Sequence, residues 1–346
     1  MVLTYDEARS WLMDGGTTKP HLLLGNGFSM AYDRDRFSYA ALADQAEAEG
    51  LLPASAQQLM DVTGSRDFEA ALRQLEATAD TLEALDRVVH AATIAHLRDD
   101  IEQLREALAQ AVAGLHPDRP YEIDSTAYER VRRFLDSHKS IYSVSYDLLT
   151  YWTLMQDVAT STSRRSDGFR DSGVTGDETV KWDIYEPYNQ TVHYLHGALH
   201  LFLGPDGLRK LTYSRTGLPL VDQVREQLAL RRYPLYVAEG ESTSKMTRIN
   251  ASAYLARALR SLSSCQGTLL VYGHSLDPND DHVFEAVVRS KVRRIAVSLY
   301  GDPNSTVNVE IRRRVADLAT RRALNGGLAL EYEFFNAGSV DLWHTP

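Results

Sequence analysis

Cysteine is nearly absent from this sequence. Of 346 residues only Cys265 carries a thiol, which excludes an internal disulfide framework and any multi-cysteine zinc module. Positive charge is also in deficit: Lys and Arg total 37 against 47 Asp and Glu, a formal net charge of -10. Bulk electrostatics therefore do not draw the chain to a phosphate backbone, and direct nucleic-acid binding is not expected. No apolar run approaches the roughly 18–20 residues that cross a bilayer, so no membrane partner is expected. Residues 1–7 show no basic stretch followed by an apolar one, which predicts no secretory signal and a cytoplasmic location. What the chain does have is 44% hydrophobic and 24% charged residues. That is the composition of a soluble globular protein, long enough for one large or two ordinary cores.

Short apolar runs alternate with longer stretches at helical spacing. This pattern predicts an α/β fold: a Rossmann-like, mostly parallel sheet with helices on both faces, in a single domain over 1–346. Strands are expected at His21–Leu24, 140–144, 192–195, 233–237, 268–272, 294–300 and 328–335, and helices at 251–262, 282–288 and 307–318. From 38 to 115 the chain has almost no strand-like run and is rich in Ala, Leu, Glu, Gln and Arg at helical spacing. It reads as a helical insertion after the first strand, with Asp67 as a helix N-cap. Residues 157–182, polar and Gly-containing, read as a mobile loop.

Nearly every apolar run ends abruptly in small or polar residues. The clusters are Gly25-Asn26-Gly27-Phe28-Ser29, Ser145-Tyr146-Asp147, His196-Gly197, Glu239-Gly240-Glu241, Gly273-His274-Ser275-Leu276-Asp277 and Gly301-Asp302. In an open parallel sheet ligands bind beyond the carboxyl ends of the strands, so these clusters are expected to converge on one crevice. The first has an anion-binding rationale in its free N–H groups and helix dipole, although an ordinary tight turn explains a Gly-x-Gly equally well. His196, at a strand end, is a candidate general base, whereas His193 points to the opposite face and reads as structural. Asp277, Asp280, Asp281 and His282 read as a turn and helix cap, with no metal expected. Lys245 and Arg248 read as solvated surface, and Cys265 as inert.

Taken together, the first, second, third and fifth clusters stand in the order and approximate spacing of the sirtuin-like NAD-binding superfamily. That superfamily carries a Gly-Ala-Gly-x-Ser loop, a Thr-Thr-Asn-Tyr-Asp strand end, a Leu-His-Gly and a late Gly-x-Ser. Within it the chain most resembles a bacterial domain-of-unknown-function branch related to antiphage NADases, through Tyr194 to His200, Val237 to Ser242 and Gly273 to Leu276. The resemblance implies a sheet that binds NAD and a reaction that hydrolyses it to nicotinamide and ADP-ribose. Carried over by position, Gly25, Gly27 and Ser29 hold the pyrophosphate, with Phe28 in the same turn. Gly273, Ser275 and Asp277, with His274 among them, line the adenosine side. Asp147 supports the nicotinamide ribose and His196 is the base. The zinc module of protein deacylases is missing, so cleavage or binding of NAD is implied rather than deacylation. Ser145 stands where the family has asparagine, and a hydroxyl reproduces only part of an amide's donor–acceptor pair. Losing one such group costs about 2.7–4 kcal/mol in the transition state, and Asn26, in place of the usual alanine, is expected to take over part of its role. The alternative is a weak or inactive sensor of NAD or an ADP-ribose-type nucleotide. Homo-oligomers or a defence-complex partner are the implied assemblies.

Overall fold

Leu22 and Leu24 are buried in one hydrophobic core and Leu23 in another. Successive side chains of a strand point to opposite faces, so both faces of this strand are covered and the run is apolar throughout. In the computed structural model the residues described are 2–16, 18–156, 165–183, 190–238 and 241–344. Their strands in chain order are β1 (His21–Leu24), β2 (Ile141–Ser143), β3 (Phe169–Arg170), β4 (Thr179–Trp182), β5 (Val192–Tyr194), β6 (Gly197–Gly204), β7 (Gly207–Leu211), β8 (Pro234–Tyr236), β9 (Gln266–Tyr272), β10 (Lys291–Leu299) and β11 (Glu331–Asn336).

Six of them form one parallel sheet in the order β11-β10-β9-β1-β2-β5. Counted along the chain, the first three strands build outward on one side and the last three on the other. This is the Rossmann-type order, and it reverses between β1 and β9, where Leu22 pairs Leu270 and Leu23 pairs Val271. On one face lie the helices Ala253–Ser263, Asp281–Arg289 and Thr306–Leu324, whose Leu262, Val283, Val287 and Val315 share a core with Leu23, Val271 and Ile295. The other face carries Tyr5–Met13, Ser125–Asp136 and the helical insertion. The insertion runs through Tyr39–Ala48, Ala54–Thr63, Phe68–Asp86 and Ala91–Leu115. Asp67 does cap its third helix, accepting from the N–H groups of Glu69 and Ala70.

Two stretches depart from the sequence reading. The run at 233–237 does not join the parallel sheet. As β8 it edges a second, antiparallel sheet of order β3-β4-β7-β6-β8, where Pro234 pairs Phe202 and Tyr236 pairs Gly197. The 157–182 segment is also not loop throughout. Residues 157–164 lie outside the described residues, but β3 and β4 pair within it, Phe169 opposite Trp182. Both rings pack on Tyr254, with centroids 5.5 and 5.4 Å away, and those aromatic anchors order an otherwise polar stretch. Among the described residues no helix is long and apolar enough to cross a membrane.

Candidate functional site

Beyond the carboxyl ends of β1 and β9, at the point where the strand order reverses, a cavity of about 650 Å³ opens. The helical insertion supplies part of its wall through Tyr39, Leu42, Glu69 and Leu108. Asn26, Gly27, Ser145, Asp147, His196, Gly273, His274 and Ser275 all line it. Clusters that the sequence scatters over 250 positions are thus brought to one crevice. Glu239 and Gly240 lie outside the described residues. Gly25, Phe28, Ser29 and Asp277 stand behind the lining: Phe28 packs on Trp343 with ring centroids 5.2 Å apart, and Asp277 caps the turn at Pro278–Asp280.

The glycine turn is not an open anion cradle. Gly25 N–H donates to Tyr272 O at 2.9 Å and Gly27 N–H to Gly273 O at 2.8 Å. Phe28 and Ser29 donate to Gly25 O and Asn26 O, both at 3.0 Å. The N–H groups of Gly25, Gly27, Phe28 and Ser29 are therefore engaged within the fold. Here glycine is required by proximity: a Cβ on Gly27 would lie 2.6 Å from Gly273 Cα, and Gly273 has φ +69. The two turns brace each other, with Gly273, His274 and Ser275 left facing the cavity.

Asp147 likewise proves to be a brace. The hydroxyls of Ser29 and Ser145 both donate to Oδ2, and Leu149 N–H donates to Oδ1 at 2.8 Å. Both carboxylate oxygens are thus engaged, tying the turn after β1 to the turn after β2 and to the start of the next helix. Ser145, its proton committed to Asp147, meets the cavity as an acceptor. The Asn26 amide donates to Phe37 O at 2.9 Å and anchors the entry of the insertion.

His196 sits at a corner between the two sheets. Gly197, at φ +76, begins β6, and a Cβ there would collide with Leu235 O. Val237 N–H donates to His196 O at 2.9 Å. Only glycine lets the chain turn here, and the turn delivers the His196 ring into a buried polar cluster. His196 Nε2 is 2.9 Å from His282 Nε2 and 3.8 Å from Asp280 Oδ1. Lys245 donates to Asp280 Oδ1 and to Glu69 Oε2, both at 2.8 Å. Tyr146 and Tyr39 reach Glu69 Oε1 at 3.1 and 3.3 Å, and His274 Nε2 is 3.2 Å from Asp280 Oδ2.

Electrostatically the cluster is uneven. Burial raises the carboxyl of Glu69 above its usual range, against the opposing pull of Lys245. Burial would raise Asp280 too, but Lys245, His196 and His274 outweigh it and hold that carboxyl well below its range. Burial also keeps His196 well below the ordinary imidazole value and lowers His282 to about 4. Two carboxylates thus face one ammonium beside neutral imidazoles, an arrangement suited to stabilising positive charge.

Much of this cluster escapes the sequence reading. Lys245 is fully buried rather than solvated. The available signal was periodicity: Lys245 and Ile249, four apart in the helix Ser242–Ala251, are its buried positions, so the lysine occupies a core slot. Glu69 likewise shares the buried face of its helix with Leu72 and Glu76. Asp280 and His282 read from the sequence as a turn and helix cap with no further cluster to complete a metal shell, and folding brings His196 to His282 from 86 positions away. Two expectations agree with the fold. His193 stacks on Tyr142 at 4.9 Å, away from the cavity. Cys265 is buried, its thiol pushed up to about 11 by that burial.

No curated protein matches the chain. The profile of the family described as Domain of unknown function (DUF4917) matches residues 22–343, from β1 through Trp343, and the chain belongs to that family.

Proposed function

We propose that the protein binds NAD, or a closely related ADP-ribose-type nucleotide, in the switch-point cavity and hydrolyses the bond between nicotinamide and ribose. One observation carries the reading: a dinucleotide-sized cavity at the strand-order reversal of a Rossmann-like sheet ends in a histidine beside two carboxylates. NAD presents a pyridinium whose departure as neutral nicotinamide leaves positive charge on the ribose. The carboxylate charge of Asp280, with Glu69 beyond Lys245, stabilises that charge where it develops. Water attacks the ribose carbon, the carbon–nitrogen electron pair passes to the ring nitrogen, and His196 takes the water's proton. Ser145 accepts a hydrogen bond from that water. The resemblance to NAD-cleaving effectors makes NAD depletion in antiphage defence the biological output of this reading.

The test is nicotinamide release from NAD by purified, chelator-treated protein. Turnover is expected in the wild type and loss of turnover in His196→Ala, with the melting temperature and NAD binding retained. Binding without release, from concentrated protein, overturns hydrolysis and supports a sensor. Ser145 favours that second reading, since its only proton is directed at Asp147.

A further inference from the structure

We infer that His196, His282 and Asp280 form a binding site for one divalent transition-metal ion, zinc in the first instance, at the buried end of the cavity. Each offers a ligand atom, and these atoms all lie within 4.8 Å of one another. Two ligands at about 2.0–2.1 Å from a zinc ion stand at most about 4.1 Å apart. The 2.9 Å between the two Nε2 atoms and the 3.8 Å from His196 to Asp280 Oδ1 fall inside that reach. Two imidazole nitrogens aimed at each other can share one proton, or can direct both lone pairs at one cation.

The surroundings hold these groups as outer partners hold metal ligands. Ser242 Oγ accepts the backbone N–H of His282 at 2.8 Å and lies 3.2 Å from its Nδ1, orienting the ring. His274 is not a further ligand. Its Nδ1 accepts from Leu276 N–H at 2.8 Å, which leaves Nε2 to carry the ring proton, 3.2 Å from the second oxygen of Asp280. Lys245 takes one lone pair of Oδ1 and leaves the other. Three protein ligands and an open side toward the cavity are the pattern of sites that keep a position for water or substrate.

This site stands apart from the nucleotide reading, because a metal occupies the lone pair that His196 would use as a base. The NAD assay therefore uses metal-free protein, and either idea can fail alone. The experiment is calorimetric titration of tag-free, chelator-treated protein with Zn²⁺. One equivalent is expected to bind, with affinity reduced at least about 100-fold in His282→Gln and about 10–100-fold in Ser242→Ala. In the wild type, Co²⁺ is expected to give the intense visible absorption of a low-coordinate ion, removed by Zn²⁺; this readout requires no variant to fold. Absence of saturable binding, equal affinity in His282→Gln, or a cobalt spectrum like that of the hydrated ion overturns the site.

Discussion

Lys245 shows how far a single side chain can depart from the habit of its type. Lysine is almost never fully buried unless paired, and here the pairing is double, with Glu69 and Asp280 each 2.8 Å from Nζ. Burial works against the ammonium, yet the two carboxylates raise it above the ordinary lysine range. Removing one partner from a buried ion pair costs about 3–5 kcal/mol, because the charge left behind is uncompensated. Lys245→Met is therefore expected to lower the free energy of urea unfolding at pH 7 by about that amount. Adding Glu69→Gln to Lys245→Met should lower it by less than the sum of the two single changes. Strict additivity would show that the three groups do not act as a unit. Local sequence does not reveal this network, since its members lie 176 and 35 positions apart.

At the scale of elements, the contact that closes the switch point is glycine on glycine. A side chain on Gly27 meets backbone, which cannot swing aside as a flexible side chain would. Overpacking of this kind costs about 1–3 kcal/mol. Gly27→Ala is expected to lose that much in chemical denaturation, whereas Gly16→Ala, exposed and with nothing near its added methyl, should stay within about 0.5 kcal/mol of wild type. Equal effects would refute the bracing role. Most of the parallel strands were legible as apolar runs closed by glycine or a polar residue, although β11 carries Glu331 and Glu333, and the insertion was legible because its period is helical throughout. The antiparallel sheet was not. β8 is as apolar as the parallel strands, and nothing local states which partner it will take. β3 and β4 owe their order to Tyr254, seventy and more residues farther along the chain.

Across the whole molecule, burial of neutral histidine sets the response to acid. His21 and His116 are lowered to about 4, and His138 and His193 to about 3, by burial in each case. The unfolded chain takes up protons on these groups near pH 6.5, whereas the folded chain does not until far lower. Below pH 6.5 the unfolded state binds more protons, so stability is complete above that pH and falls as pH drops toward 3–4. Each group contributes at most about 1.4 kcal/mol per pH unit. Burial lowers His196, His200 and His282 in the same direction, while Glu69 and Asp281, raised, run the other way but are outnumbered. The unfolding free energy is expected to decrease by on the order of 5 kcal/mol between pH 7 and pH 5. That is comparable with the total stability of a typical domain, about 5–15 kcal/mol. Denaturation curves at pH 7, 6 and 5 check this, and a flat profile contradicts it.

Periodicity and punctuation, both local properties, were enough to assign the α/β class, the parallel strands, the helical insertion and the strand-end clusters that line the cavity. Long-range contact decided the rest. Folding turned the expected phosphate cradle into a brace between two turns, made Asp147 a tie between elements, and gathered Glu69, Lys245, Asp280 and His282 around His196. The reason is physical: whether a polar group meets water, a ligand or a neighbour depends on what packs against it, and those partners come from distant parts of the chain.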